Sequence, residues 1–296
     1  MNSKSESTLP PEVLDLIFSL LESDIASLKA CSRVNILFSV HVERHIYREV
    51  TVDNGYPQAK RLYNILLRKP HLTSMVQFLH VGISVPLNAP RSIRSFFSRR
   101  VAQFDEELSA IILSLTSLEG LTVRGNSDDA QVIWPWLDGR LRSAILHALL
   151  SPSLKNFTLE SLDEFPLFSL KNWESISRLT LSKLHSVNVE PFSEPGASES
   201  GQGARADCSH ICSLAITLCC PCILNIGAWA ISSGIASQLR ELTVHSLGIG
   251  DEGWRFIEAC QNTLTTLELD TGFQCESEFT TEILAHFTCN YSLQSL

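Results

Sequence analysis

The chain has 296 residues, 44% hydrophobic and 19% charged, which is enough apolar surface to build a core and excludes wholesale disorder. A length of this order predicts two modest domains or one large one, at about 150 residues per domain. The net charge of −9 is lopsided: residues 1–130 carry 14 basic and 14 acidic side chains and residues 131–296 carry 9 and 18, which argues against nucleic acid as a partner of the second half.

The opening run MNSKSESTLPPE lacks the apolar stretch of a secretory signal, and nine cysteines cannot all pair within one chain, so a reducing compartment, cytoplasmic or nuclear, is expected. A first helix is predicted at Pro10-Pro11, where proline loses no intrahelical bond. Val13, Leu14, Ile17, Phe18 and Leu21 then recur at steps of three and four, along one stripe. Asp24 is placed to cap a second helix carrying Ile25, Leu28 and Cys31. Leu37, Val40, Arg44 and Tyr47 continue a third helical pattern. Three helices this short make a very small core, so a partner is expected to complete part of the apolar surface.

The run Leu9-Pro10-x-Glu12-Val13-Leu14-x-x-Ile17-Phe18-x-x-Leu21, then Asp24-Ile25-x-Ser27-Leu28-x-x-Cys31-Ser32-x-Val34-x-x-x-Phe38, resembles an F-box, particularly of the fungal type. Tyr47-Arg48-Glu49-Val50-Thr51-Val52 resembles the segment that closes the motif in that group. Phe38 stands where tryptophan is usual, and Asn35-Ile36 where a more basic stretch is common. The resemblance implies that the helices pack against a Skp-type adaptor, which links them to a cullin-RING ubiquitin ligase, while the rest of the chain selects the protein to be ubiquitinated. Carried across position by position, it makes Leu9, Pro10, Glu12, Val13, Ile17, Phe18, Leu21, Leu28 and Val34 the adaptor-facing set. Residues 1–52 are then the F-box and 53–71 a linker helix.

Further along, the pattern apolar-x-x-apolar-x-apolar recurs at Val76-Leu79-Val81, Leu118-Leu121-Val123, Leu154-Phe157-Leu159, Ile176-Leu179-Leu181, Ile211-Leu214-Ile216, Leu239-Leu242-Val244 and Leu264-Leu267-Leu269. An eighth occurrence starts at Leu293-Leu296, with no polar cap, as in a truncated or divergent array. Each unit supplies one short strand whose apolar residues are buried only by stacking on neighbours, which predicts a curved solenoid. Residues 72–296 resemble a leucine-rich-repeat domain, although the asparagine or cysteine usual after each strand is mostly missing. Around Leu247 to Trp254 an Asp- and Gly-containing turn leads into a short amphipathic helix bearing Phe256, Ile257 and Cys260, expected to cover the convex side. Because strand side chains alternate, Thr122, Thr158, Thr180 and Thr243, with His80, Ala215 and Glu268, are expected to share the exposed inner face. That row is a candidate target-binding surface, and it is also ordinary strand chemistry. Residues 193–207 read as a flexible insertion.

Other chemistry is weaker. The uncharged run Ile211 to Ile231 would pass a membrane hydropathy window, but Pro221, Asn225 and Gly227 interrupt it; it reads as a buried strand and a buried helix, with no membrane partner. Cys208-x-His210-x-Cys212 and Cys219-Cys220-Pro221-Cys222 are separated by six mostly apolar residues, so their thiols read as core and no metal is expected. His41 and His45 lack the zinc-protease order and read as solvated surface. RSIRSFFSRR at 91–100 interleaves four arginines with Phe96 and Phe97, and reads as a basic connector. Neither a Gly-x-Ser-x-Gly elbow nor a phosphate-binding loop occurs.

The expected architecture is therefore α/β, a three-helix F-box followed by an irregular leucine-rich-repeat solenoid with a parallel sheet on its inner face. The expected function is a substrate-recognition subunit of an SCF-type ubiquitin ligase, with no catalytic residues and no cofactor. The alternative is a ubiquitin-independent interaction scaffold in which the N-terminal helices act as a cap.

Overall fold

The computed structural model describes residues 9–53, 56–83, 104–125, 132–167, 174–184, 186–188, 210–218, 222–246 and 250–271. Three helices come first: α1 (Pro11–Ser19), α2 (Ile25–Cys31) and α3 (Ile36–Arg48). Their starts follow local chemistry. Pro11 lies in the first turn of α1, and the Asp24 carboxylate accepts from the Ser27 backbone N–H to cap α2. Asn35 does the same for Phe38 N–H at the start of α3, so this departure from the motif is a helix cap.

The second unit is a mixed α/β structure built on an eight-stranded sheet. In spatial order its strands are β1 (Glu49–Val52), β2 (Phe78–Ile83), β3 (Gly120–Gly125), β5 (Asn156–Glu160), β8 (Arg178–Leu184), β10 (Ser213–Leu218), β11 (Glu241–Ser246) and β12 (Thr266–Thr271). Each pairs in parallel with the next, in chain order. The intervening β4 (Val132–Ile133), β6 (Leu162–Asp163), β7 (Phe165–Pro166) and β9 (Val187–Asn188) form two small parallel ladders beside it. The segment expected to close the N-terminal unit, Glu49–Val52, is in fact the edge strand of this sheet, which moves the boundary drawn after residue 52. Val50 and Val52 continue the inward rows of Leu79 and Val81, and that period-two match draws the segment into the sheet.

Parallel strands need long crossovers, and among the described residues helices lie in five of the seven. Helix α4 (Tyr56–Arg68) and a 3-10 turn (Pro70–Ser74) connect β1 to β2; α5, residues 104–114, precedes β3, and α6 (Gly139–Leu149) precedes β5. Helices α7 (Cys222–Ser232) and α8 (Gly250–Cys260) follow β10 and β11. The uncharged run from Ile211 to Ile231 thus holds β10 and part of α7. Leu108 and Ile111 of α5, Leu141 and Ile145 of α6, Trp229 of α7 and Phe256 of α8 join one core cluster with the inward strand residues. Each such side chain contributes about 1.5–3 kcal/mol of burial. The helices thus lie on one face of the sheet. A separate, much smaller cluster holds the N-terminal bundle together: Leu14, Phe18, Leu28 and Val42.

Candidate interaction surfaces

The N-terminal bundle buries little of its own apolar surface. Phe18 is 1% exposed and meets Phe38 edge to face at 5.5 Å between ring centres, while Leu28 is 0% exposed. Both therefore leave the predicted adaptor-facing set: on α1 the helical period turns Leu14 and Phe18 inward together, and Leu28 points inward from α2. Leu21 is half-buried against the same cluster. Leu9, Pro10, Glu12, Val13, Ile17 and Val34 are exposed. So are Leu16, Leu20 (77%), Ile25, Ile36 (84%), Leu37 and Val40. The stripe expected on α3 is likewise rotated, because Val42 is its buried residue. Ten of the fifteen exposed large apolar side chains among the described residues fall within residues 9–40, a concentration far above scattered surface leucines.

Polar contacts fix this bundle to itself and to the sheet. His41 Nδ1 donates to Asp15 at 2.8 Å and His45 Nδ1 to Glu22 at 3.0 Å, so both histidines are largely covered and joined to carboxylates, not solvated as expected. The His45 hydrogen bond, with Arg48 beside it, holds the Glu22 carboxyl below its usual range. Burial works against the charge of Glu43, but hydrogen bonds from Lys69 and His71 outweigh it and lower that carboxyl too. These contacts tie α3 to the segment after α4, and Arg48 also donates to Gln77 just before β2.

The second surface is the sheet face opposite the helices. Pairing places Thr51, His80, Thr122, Thr158, Thr180, Ala215, Thr243 and Glu268 in one register row across all eight strands. Glu268 is exposed and His80, the threonines from 122 onward and Ala215 are partly so, while the flanking apolar rows are buried apart from half-buried Val50 and Leu269 on the outer strands. Beside that row, Glu160 accepts from Arg124 Nε at 2.7 Å and from Lys183 Nζ at 2.8 Å. Desolvation opposes the Glu160 charge, and the two cations more than offset it, lowering its carboxyl below the usual range. Sequence reading missed this triad. Lys183 is the extra residue of a bulge in β8, with φ of 54°, so alternation could not assign it to a face. His80 and Glu49 pair at 3.0 Å near one edge, His245 and Asp270 at 3.3 Å near the other.

Elsewhere, a cavity of about 630 Å³ runs along α4, lined by Pro57, Lys60, Arg61, Asn64, Ile65 and Arg68. Its titratable side chains are all basic, so it holds no acid–base pair. Among the described residues, Asp105 has the most perturbed carboxyl: burial, with Asp138 nearby, pushes it up to about 7. Asp138 caps α6. Among the described residues, no three His, Cys, Asp or Glu side chains converge as a metal site, and no helix is long and apolar enough to cross a membrane. Cys208, Cys219 and Cys220, the 91–100 basic segment, the 193–207 insertion and the repeat at Leu293-Leu296 lie outside the described residues. Comparison with family models and with curated proteins found no match to the chain.

Proposed function

We propose that the chain is a substrate-recognition subunit of an SCF-type cullin-RING ubiquitin ligase: an F-box-like bundle that binds a Skp-type adaptor, joined to a leucine-rich-repeat-like solenoid that binds a target protein. The observation that carries this reading is the exposed apolar surface of the bundle. A helical unit with four fully buried side chains and ten large apolar ones in solvent is built to be completed from outside. Motif positions Leu9, Pro10, Glu12, Val13, Ile17 and Val34 are all on that surface. The chain itself does no chemistry; holding a target beside a ubiquitin carrier raises their effective concentration.

The test is capture of a purified Skp-type adaptor by the full chain. The pair of substitutions Val13→Asp and Ile17→Asp should weaken capture by at least about tenfold, since charges at the desolvated centre of an interface are costly. The melting transition should hold steady, because both residues are solvent-exposed. Leu9→Ala with Pro10→Ala should act in the same direction. Unchanged adaptor recovery would overturn the assignment. The competing scaffold reading, with the bundle as a cap, draws support from β1: helix α3 runs straight into the sheet's first strand, and its Tyr47 packs against the large core. It predicts no adaptor in the complex.

A further inference from the structure

The open face of the sheet is electrically polarised. Across β3, β5 and β8 it carries Arg124, Glu160, Arg178 and Lys183, an excess of positive charge. Strand β10 presents only Ser213, Ala215 and Thr217, small and uncharged, so the face is shallow there and a backbone can approach closely. Across β11 and β12 it carries Glu241, Glu268 and Asp270, all exposed. The sign of the charge thus reverses over a neutral strand. Glu160 takes one hydrogen bond each from Arg124 and Lys183, whereas a guanidinium has five donors and an ammonium three, so both remain competent to bind a further anion. At the other end, Glu268 accepts from Thr243 at 3.4 Å and Asp270 pairs with His245 at 3.3 Å; both carboxylates stay in solvent.

We propose that this face takes an extended segment of the target protein that crosses the strands and carries an acidic and a basic side chain about four to six residues apart, the acid over Arg124 and Lys183 and the base over Glu268 and Asp270. The spacing follows from the sheet. Lys183 lies on β8, three strand steps from β12, and the point midway between it and Arg124 of β3 lies over β5, four steps away, which gives about 14 and 19 Å at roughly 4.8 Å per step. An extended chain advances about 3.3 Å per residue, which converts those spans to the stated interval. Between the poles, Ser213 and Thr217 of β10 offer hydroxyls that donate to or accept from the segment's backbone. The occupant rests on the reading of this face as the target-binding surface.

The experiment selects randomised dodecapeptides displayed on phage against the full chain. Enriched sequences should pair an acidic with a basic residue four to six positions apart. Their binding as free peptides should fall about tenfold in Arg124→Gln/Glu160→Gln/Lys183→Gln, a set that removes the charges without stranding Glu160. Replacing the peptide's acid with its amide should cause a similar loss against wild type and little further loss against that variant. Glu268→Gln with Asp270→Asn should behave likewise toward the peptide's base. No enrichment, enrichment without that charge spacing, or binding indifferent to these substitutions in folded variants would overturn the proposal. Adaptor capture is read separately on the front bundle, so failure here leaves the ligase reading intact, and loss of adaptor capture with peptides still selected sinks only the latter.

Discussion

Replacing Phe18 with alanine separates the bundle's interior from its surface. Phe18 is one of four side chains that form the bundle's fully buried core. At about 1.5–3 kcal/mol each, those four supply roughly 6–12 kcal/mol of gross burial. A buried Phe→Ala change costs about 3–5 kcal/mol, and the edge-to-face contact with Phe38 is lost with it. A quarter or more of the bundle's cohesion goes, while the large cluster behind the sheet loses no member. Hydrogen exchange read by mass spectrometry should show protection in α1 to α3 falling by about two to three and a half powers of ten, at ~1.4 kcal/mol per tenfold, with β5 and β8 unchanged. The adjacent Ile17→Ala, exposed, should shift protection by less than about 0.5 kcal/mol equivalent. Protection lost equally across bundle and sheet, or kept in both, would refute the division of the molecule into two cores.

Three further outcomes follow from side chains described above. Asp105 has a folded value of about 7 against an ordinary 3.8, so the folded state holds its proton and wild-type stability declines as pH rises from 4 to 7. Asp105→Asn should therefore be more stable than wild type at pH 8 in chemical denaturation, by about 2–4 kcal/mol, and the difference should vanish near pH 4. Glu43 shows the opposite sign: its carboxyl is lowered, so its contribution is complete above its ordinary 4.5 and lost as pH falls through the depressed folded value. Glu43→Gln should cost about 1–2 kcal/mol at pH 7 and progressively less in acid melts. Gly125→Ala should destabilise by about 1–3 kcal/mol or more in chemical denaturation, because the added Cβ would sit 2.0 Å from the Ser161 carbonyl oxygen, which is backbone and cannot step aside.

Much of the sheet was legible from spacing alone. Every strand from β2 to β12 in the main sheet begins two residues after an apolar-x-x-apolar-x-apolar start; alternation puts the threonines on one face, and the repeat's common start aligns them in one register row. The capping role of Asp24 was readable for the same local reason. Edge strand β1 was hidden because it is short and directly follows a helix, so its two valines looked like the tail of the helical unit. Phe18 and Leu28 were placed on the adaptor side by the motif resemblance alone, and periodicity could not correct this because α1 and α2 carry apolar residues around most of their circumference. Lys183 escaped because a single inserted residue breaks the period-two rule on which the reading depended.

The passage from Arg48 to Glu49 has no spacer: one residue ends α3 and the next begins β1. Arg48 braces the joint, stacking over the Phe78 ring at 5.9 Å while gripping Glu22 and Gln77. Whatever seats on the helices is consequently held at a set bearing to whatever lies on the strands, like two arms of a welded bracket. Inserting a few glycines at that seam would leave each arm's grip intact and destroy only their mutual aim.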